Sequence, residues 1–380
     1  MSASKKAKKE MILILDVQSS VVRGSLVSLE TGTRPEILFT YSTDIHYRNY
    51  SDSNHLIKMT LEAVSEIVKV IEHYTNTLEE KNRRKIHSIH FALSSPWLVS
   101  QARIIEVAFP KVTRITRAYI LDLIKKERDK LMTLKDEPLT VIEEKVFDVR
   151  LNGYSVDVWE GKETKDLEIS FAISIAGTSM IESLINKCSG LVREKNILFH
   201  SSLLLQYIGL QIIFPTNDNY SLINIHGELT DCVVVKRHSC ASFGSISCGT
   251  RPLLRKIALE SKIDEHAADS LVTLYTGGQL DASHSRESIG IIKKISDVWL
   301  NDLKKIYTSD KDGLSPPAFI MLSAYAHDDF YVKILSQASP TTQVKALSVD
   351  DIARVVSFAD NVERRRLSGL YALALSNYVI

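Results

Sequence analysis

Residues 222–235 read LINIHGELTDCVVV: an apolar run, a short polar turn around Gly227, then Thr230-Asp231 and a second apolar run. The pattern predicts two strands whose turn could hold a nucleotide's phosphate tail. Such turns use several glycines, because backbone N–H groups must approach phosphate oxygens closely and adopt positive φ. Here a single glycine stands between His226 and Glu228. The stretch is a working nucleotide site, a worn one or an ordinary hairpin, and the remainder of the chain must decide.

With 380 residues the chain can form two to four structural units around large cores. Lys+Arg 47 against Asp+Glu 46 gives a net charge of +1, so no overall field points to nucleic acid or to a membrane. Lys5, Lys6, Lys8 and Lys9 make a basic start, expected to be solvated and disordered over residues 1–10. No stretch approaches the roughly 18 apolar residues of a membrane span, and no apolar segment follows those lysines, so the chain reads as cytoplasmic. Four cysteines do not make a disulfide framework. Cys232, Cys240 and Cys248, with His226 and His238 nearby, raise the question of zinc. Seven residues separate successive cysteines, however, where zinc knuckles space ligand pairs by about two to four, so no metal is expected.

The first lobe begins with residues 11–100: MILILDVQSSVVRGSLVSLE forms two strands around Gln18-Ser19-Ser20, a helix runs from Asn54 to Glu80, and HSIHFAL forms a further strand after the KNRRK break. Residues 101–188 form an insert. In it Thr116 caps a helix through Met132, Asn152-Gly153 supplies the positive φ of a tight hairpin, DLEISFAISIA is a strand, and Ser179 with Glu182 predicts a capping box for a closing helix. Residues 189–217 bring a closing strand and an interlobe helix. The second lobe repeats the opening of the first: ILDVQSSVVRGSLV and INIHGELTDCVVV align without gaps, Asp16 over Asn224 and Ser19 over Gly227. It spans the hairpin segment 218–258, a helical subdomain over 259–314, and 315–380 with a strand entered through Pro316-Pro317 and closing helices, SVDDIARVVSFAD among them.

Two lobes opening alike resemble the actin-like ATPase superfamily, an α/β, ribonuclease-H-like duplicated fold. The insert after HFALSSPWLVSQARIIEV, the text ITRAYILDLIKKERDK and the hairpin at LNGY are similar to its PilM/FtsA branch, in which an extra SHS2-like subdomain is inserted in the first lobe. The resemblance implies which residues meet the nucleotide. In the first phosphate loop Asp16 is kept, Gln18 stands where the family has glycine, and Ser19-Ser20 remain. In the second, usually Asp-x-Gly-Gly-Gly-Thr-Thr-Asp, this chain has Asn224, His226, Gly227, Glu228, Thr230 and Asp231. The late Gly-Gly adenosine turn is Ser323-Ala324-Tyr325, and Asp269 and Val272 occupy the usual Glu and Lys places of the ribose helix.

These departures change the chemistry. Gln18 and His226 fill space that a phosphate needs, and magnesium loses a carboxylate at Asn224. Glu228 adds a negative charge that repels each nearby phosphate charge by about 4 kcal/mol at 4 Å and an effective dielectric near 20. His200 is the nearest candidate base, and a packing role suits it better. The expectation is a degenerate site with no cofactor and no catalysis; ATP and magnesium are the alternative should the motifs still function. By resemblance to the type IV pilus assembly protein PilM, the chain is expected to be a cytoplasmic scaffold at the inner face of the cytoplasmic membrane. It would hold a membrane-anchored assembly protein through a short cytoplasmic peptide, with the 101–188 block as contact surface. An FtsA-like division role is the alternative; the lack of a basic amphipathic tail after Ile380 favours the first. A small-molecule kinase and a chaperone-like switch both need the glycine-rich cradle that is worn here. Self-association is compatible with such folds.

Overall fold

A computed structural model describes residues 9–45, 53–78, 85–132, 138–280, 285–308, 319–360 and 362–379. The basic start up to Lys8, most of the KNRRK break and Pro316-Pro317 lie outside the described residues. The chain opens with β1 (Lys9–Val17), β2 (Val21–Glu30), β3 (Glu36–Asp44), α1 (Ser53–Thr77) and β4 (Ile86–Leu93). The insert follows as β5 (Leu98–Arg114), α2 (Arg117–Met132), β6 (Leu139–Leu151), β7 (Tyr154–Ser155), β8 (Glu163–Gly177) and α3 (Thr178–Cys188). β9 (Ile197–Ser201) and α4 (Ser202–Ile213) lead to the second lobe. That lobe contains β10 (Tyr220–Ile225), β11 (Thr230–Lys236), β12 (Ser239–Ile246), α5 (Thr250–Ser261), α6 (Glu265–Thr276), α7 (Arg286–Thr308), β13 (Phe319–Ala324), α8 (Asp328–Ala338) and β14 (Gln343–Ala346). The chain closes with α9 (Val349–Ala353), β15 (Ser357–Phe358) and α10 (Arg366–Val379).

Three sheets organise these elements. The first lobe has the order β15-β3-β2-β1-β4-β9, the second β12-β11-β10-β13-β14, and the insert β5-β8-β6-β7. In each lobe an antiparallel hairpin is joined by a parallel strand on the far side of its first member: β4 beside β1, and β13 beside β10. Ile12 to Leu15 are all buried, as expected of a central strand covered on both faces. One face packs on α1 and α3 through Leu13, Leu15, Val64, Ile67 and Leu184. The other meets α4 and α10, which lie between the lobes; Ile12, Ile14, Leu204, Leu210, Leu370, Leu222 and Val233 share that core. At about 1.5–3 kcal/mol for each fully buried large aliphatic side chain, this shared core holds the lobes together by apolar burial. The outer face of the second sheet carries α5 to α8. The insert has its own core, formed by Ile120, Ile124 and Leu131 of α2 against Ile169, Phe171 and Ile173 of β8.

Most local expectations hold. Thr116 Oγ1 accepts from the Tyr119 amide at 3.2 Å, and Asn152 and Gly153 have φ of 51° and 83°. The Ser179–Glu182 capping box does not form. The helix starts two residues earlier than that box requires, at Thr178, with Gly177 as an N-cap that makes no side-chain bond, so Ser179 sits inside the first turn. SVDDIARVVSFAD is helical only over α9; its capping box is Ser348 with Asp351, and Ser357–Phe358 then pairs in parallel with β3. Thus β15 and α10 return to the first lobe's sheet, and α3 packs into the first-lobe core rather than the insert's own.

Candidate functional site

The two hairpins share one register, with Asp16 opposite Arg23 in the first and Asn224 opposite Asp231 in the second. Their tips point into the cleft between the lobes and meet there. Ser19 Oγ accepts the Glu228 amide at 3.3 Å, a backbone donor of the kind that cradles phosphate. Ser20 lies so close to Gly227 that a Cβ added at 227 would overlap its Oγ and Cβ. The amides at the start of α5 turn back into the same loop: Arg251 N donates to Gly227 O at 2.7 Å, and Thr250 N to His226 O at 3.1 Å.

The two retained carboxylates are held by the chain itself. Asp16 accepts from Gln18 Nε2 at 2.9 Å, Arg23 Nη1 at 3.1 Å and the Tyr371 hydroxyl at 3.4 Å. Burial raises its pKa above the ordinary carboxylate value, and the Arg23 and His226 charges offset only part of that rise. Asp231 receives the Ser95 amide at 3.1 Å, the Ser245 hydroxyl, and His226 Nε2 at 3.0 Å. Burial pushes Asp231 upward, but these bonds together outweigh it and hold the carboxyl below its ordinary value. Glu228 forms a two-pronged pair with Arg255 at 2.7 and 3.4 Å.

The remaining motif positions are also engaged. Thr230 turns away from the cleft, donating to Cys248 O at 2.7 Å and accepting from Trp299 Nε1 at 3.3 Å. Ser323 is buried beside Asn224 in the β10–β13 ladder. Asp269 contacts His327 Nε2 at 2.7 Å, and Val272 is core. His200 belongs to a chain of polar contacts joining the first lobe to the insert: Ser88 Oγ is hydrogen-bonded to His90 Nε2 at 2.9 Å and His90 Nδ1 to His200 Nε2 at 3.0 Å, while the Glu143 carboxylate lies 3.7 Å from His200, beyond hydrogen-bond distance. Burial, then the His200 charge, push His90 down to about 3, which keeps it neutral. Ser20 Oγ, Arg23 Nε, Asn224 Nδ2 and His226 Nδ1 are buried without a protein partner. Each is a single-atom requirement of the size that one buried water meets.

At the cleft mouth, Arg251 Nη1 donates to Ile45 O of the first lobe at 2.7 Å, and its other terminal nitrogen to the Tyr325 hydroxyl at 3.3 Å. That hydroxyl donates across the cleft to Asp44 at 2.9 Å. Arg251, Asp44 and Arg23 escaped the reading of the sequence. Arg23 alone had a local signal, since the short turn after Val17 puts it opposite Asp16. Beside the second hairpin, a cavity of about 410 Å³ is lined by Asp231, Ser95, Val99, Ser100, Phe243 and Ser245. It is flanked by β5 and β12, each the outermost strand of its sheet.

Against solved structures, this architecture matches the PilM-PilN type IV pilus biogenesis complex with a TM-score of 0.62, at 12% identity, over 96% of both chains. The fold is the actin-like one, in its PilM-like form. The match spans the insert β5–β8 with α2 as well as the paired hairpins. A diol dehydratase-reactivating factor in nucleotide-free form matches at a TM-score of 0.49 and 9% identity, over 98% of this chain and 100% of that one. The ethanolamine utilization protein EutJ from Carboxydothermus hydrogenoformans follows at 0.45 and 9%, over 97% and 89%. No protein-family model and no curated protein matches the sequence.

Proposed function

We propose that this chain is a non-enzymatic scaffold on the cytoplasmic side of a membrane-associated assembly, working without a bound nucleotide. The contact of Ser20 with Gly227 carries the reading, because it brings the tips of the two hairpins together and leaves no room between them even for a Cβ at Gly227. Ser19 takes a cradle amide, Arg23 and Gln18 take Asp16, and Glu228 is committed to Arg255, so these groups are engaged within the chain instead of being open to a triphosphate with magnesium. No helix among the described residues is long and apolar enough to cross a membrane, so membrane contact in this proposal runs through a partner.

The likeness to the PilM-PilN complex suggests the kind of partner: a membrane-anchored assembly protein offering a short cytoplasmic segment. Such a segment fits beside the cavity between β5 and β12. An extended peptide adds to a sheet edge through backbone hydrogen bonds, while alternate side chains enter the pocket. A photo-crosslinking residue at Val99, introduced into the full chain in its own cells, tests this. Crosslinks to the cytoplasmic end of a single-span membrane protein are expected. Crosslinks to soluble proteins alone, or steady ATP hydrolysis by the purified chain, would overturn the proposal; a division-protein partner would move it to the FtsA-like reading.

A further inference from the structure

We infer that the chain carries its own interlobe clasp, which sets lobe closure in place of a nucleotide. The inference rests on the nucleotide-free reading above and adds the regulation of that same cleft. In a duplicated two-lobe fold, whatever bridges the phosphate hairpins determines how far the lobes stand apart. Here the bridge is covalently part of the chain, at two levels.

The floor is the Ser19–Glu228 hydrogen bond and the Ser20–Gly227 contact, backed by the Ile45 amide donating to Ser20 O at 2.7 Å. The mouth is Arg251, whose guanidinium reaches the Ile45 carbonyl and the Tyr325 hydroxyl and lies 5.5 Å from the Tyr325 ring centre. The Tyr325–Asp44 bond completes it. Tyr325 stands in the turn after β13, and its side chain reaches the opposite lobe. Ser95, whose amide and hydroxyl meet Asp231 and Ser245, adds a third crossing beside the floor. Ile45 ties the levels together: its amide holds the first hairpin and its carbonyl receives the second lobe's arginine. Closure therefore belongs to the resting protein and needs no ligand.

The test uses the full chain with spin labels at Lys69→Cys on α1 and Ser270→Cys on α6, both exposed, while the native cysteines Cys188, Cys232, Cys240 and Cys248 are buried. Electron–electron double resonance on this protein should give one narrow distance, unchanged by millimolar Mg-ATP. With Arg251→Ala and Tyr325→Phe added, a second, longer distance should appear in roughly a tenth or more of the molecules. Tyr325→Phe alone removes one oxygen from a partly buried side chain and serves if the double variant does not fold; a broadened distribution supports the clasp. An unchanged distribution in folded clasp variants, with no response to Mg-ATP, overturns the clasp alone. A shift on adding Mg-ATP to the unmodified clasp overturns the nucleotide-free reading with it.

Discussion

Gly227 is the remaining glycine of the second hairpin's turn, and in this chain it faces Ser20 of the other lobe. Gly227→Ala should destabilise the protein by about 1–3 kcal/mol in denaturant unfolding, as overpacking at a tight contact does. Adding Ser20→Gly should return at least half of the loss, since it removes the atoms in conflict. Arg23→Met leaves Asp16 buried without its cation and should cost about 3–5 kcal/mol in the same assay. The two carboxylates respond oppositely to pH. Asp231 is held below 3.8, so its stabilising contribution is present above that value and is lost as pH falls through the folded pKa. Asp16 is raised above 3.8, so its contribution is present below that value and is lost as pH rises through the folded pKa. Unfolding free energy against pH should thus lose acid sensitivity in Asp231→Asn, and in Asp16→Asn should lose a decline on the rise from acid toward neutral pH. At this scale the sequence made the substitutions at Gln18, His226 and Glu228 visible, because each stands in a recognisable motif. It concealed that Arg251 reaches the Ile45 carbonyl, because 206 positions separate the two.

At the scale of elements, what was legible is what local periodicity and turn chemistry determine. The paired hairpins, the helices from Thr250 to Thr308 and the Asn152-Gly153 turn all follow from neighbouring residues. The capping box at Ser179 failed because the preceding strand ran on to Gly177 and started the helix early. Strand β15 has two residues and exists only because β3 offers it an edge, so no local pattern announces it. The crossing of α4 and α10 is similarly tertiary. Gly209 on α4 has the Leu370 carbonyl 2.9 Å from where a Cβ would sit. Helix propensity alone favours alanine there by about 1 kcal/mol, but the close crossing reverses the sign. Gly209→Ala should lower the unfolding free energy by about 1–3 kcal/mol, measured by urea titration with circular dichroism.

Over the whole molecule, two sheets share a core with α4 and α10, and their hairpin tips close the cleft above it. The duplication was readable because both halves begin with the same strand–turn–strand text. The closure was not, since it depends on how the lobes dock. In the proposed reading, an actin-like fold closed in this way presents one fixed surface, including the insert's edge strand β5 and the cavity beside it. A nucleotide that binds the native state stabilises it, by about 2.7 kcal/mol at a hundredfold excess over Kd, so binding is visible both as heat and as a rise in Tm. Titration calorimetry of the purified full chain with Mg-ATP, paired with a thermal melt of the same samples, is the direct test. A chain whose own residues fill the cleft should give no saturable heat up to millimolar Mg-ATP and an unchanged Tm; saturable binding in the micromolar range with a rising Tm would contradict it.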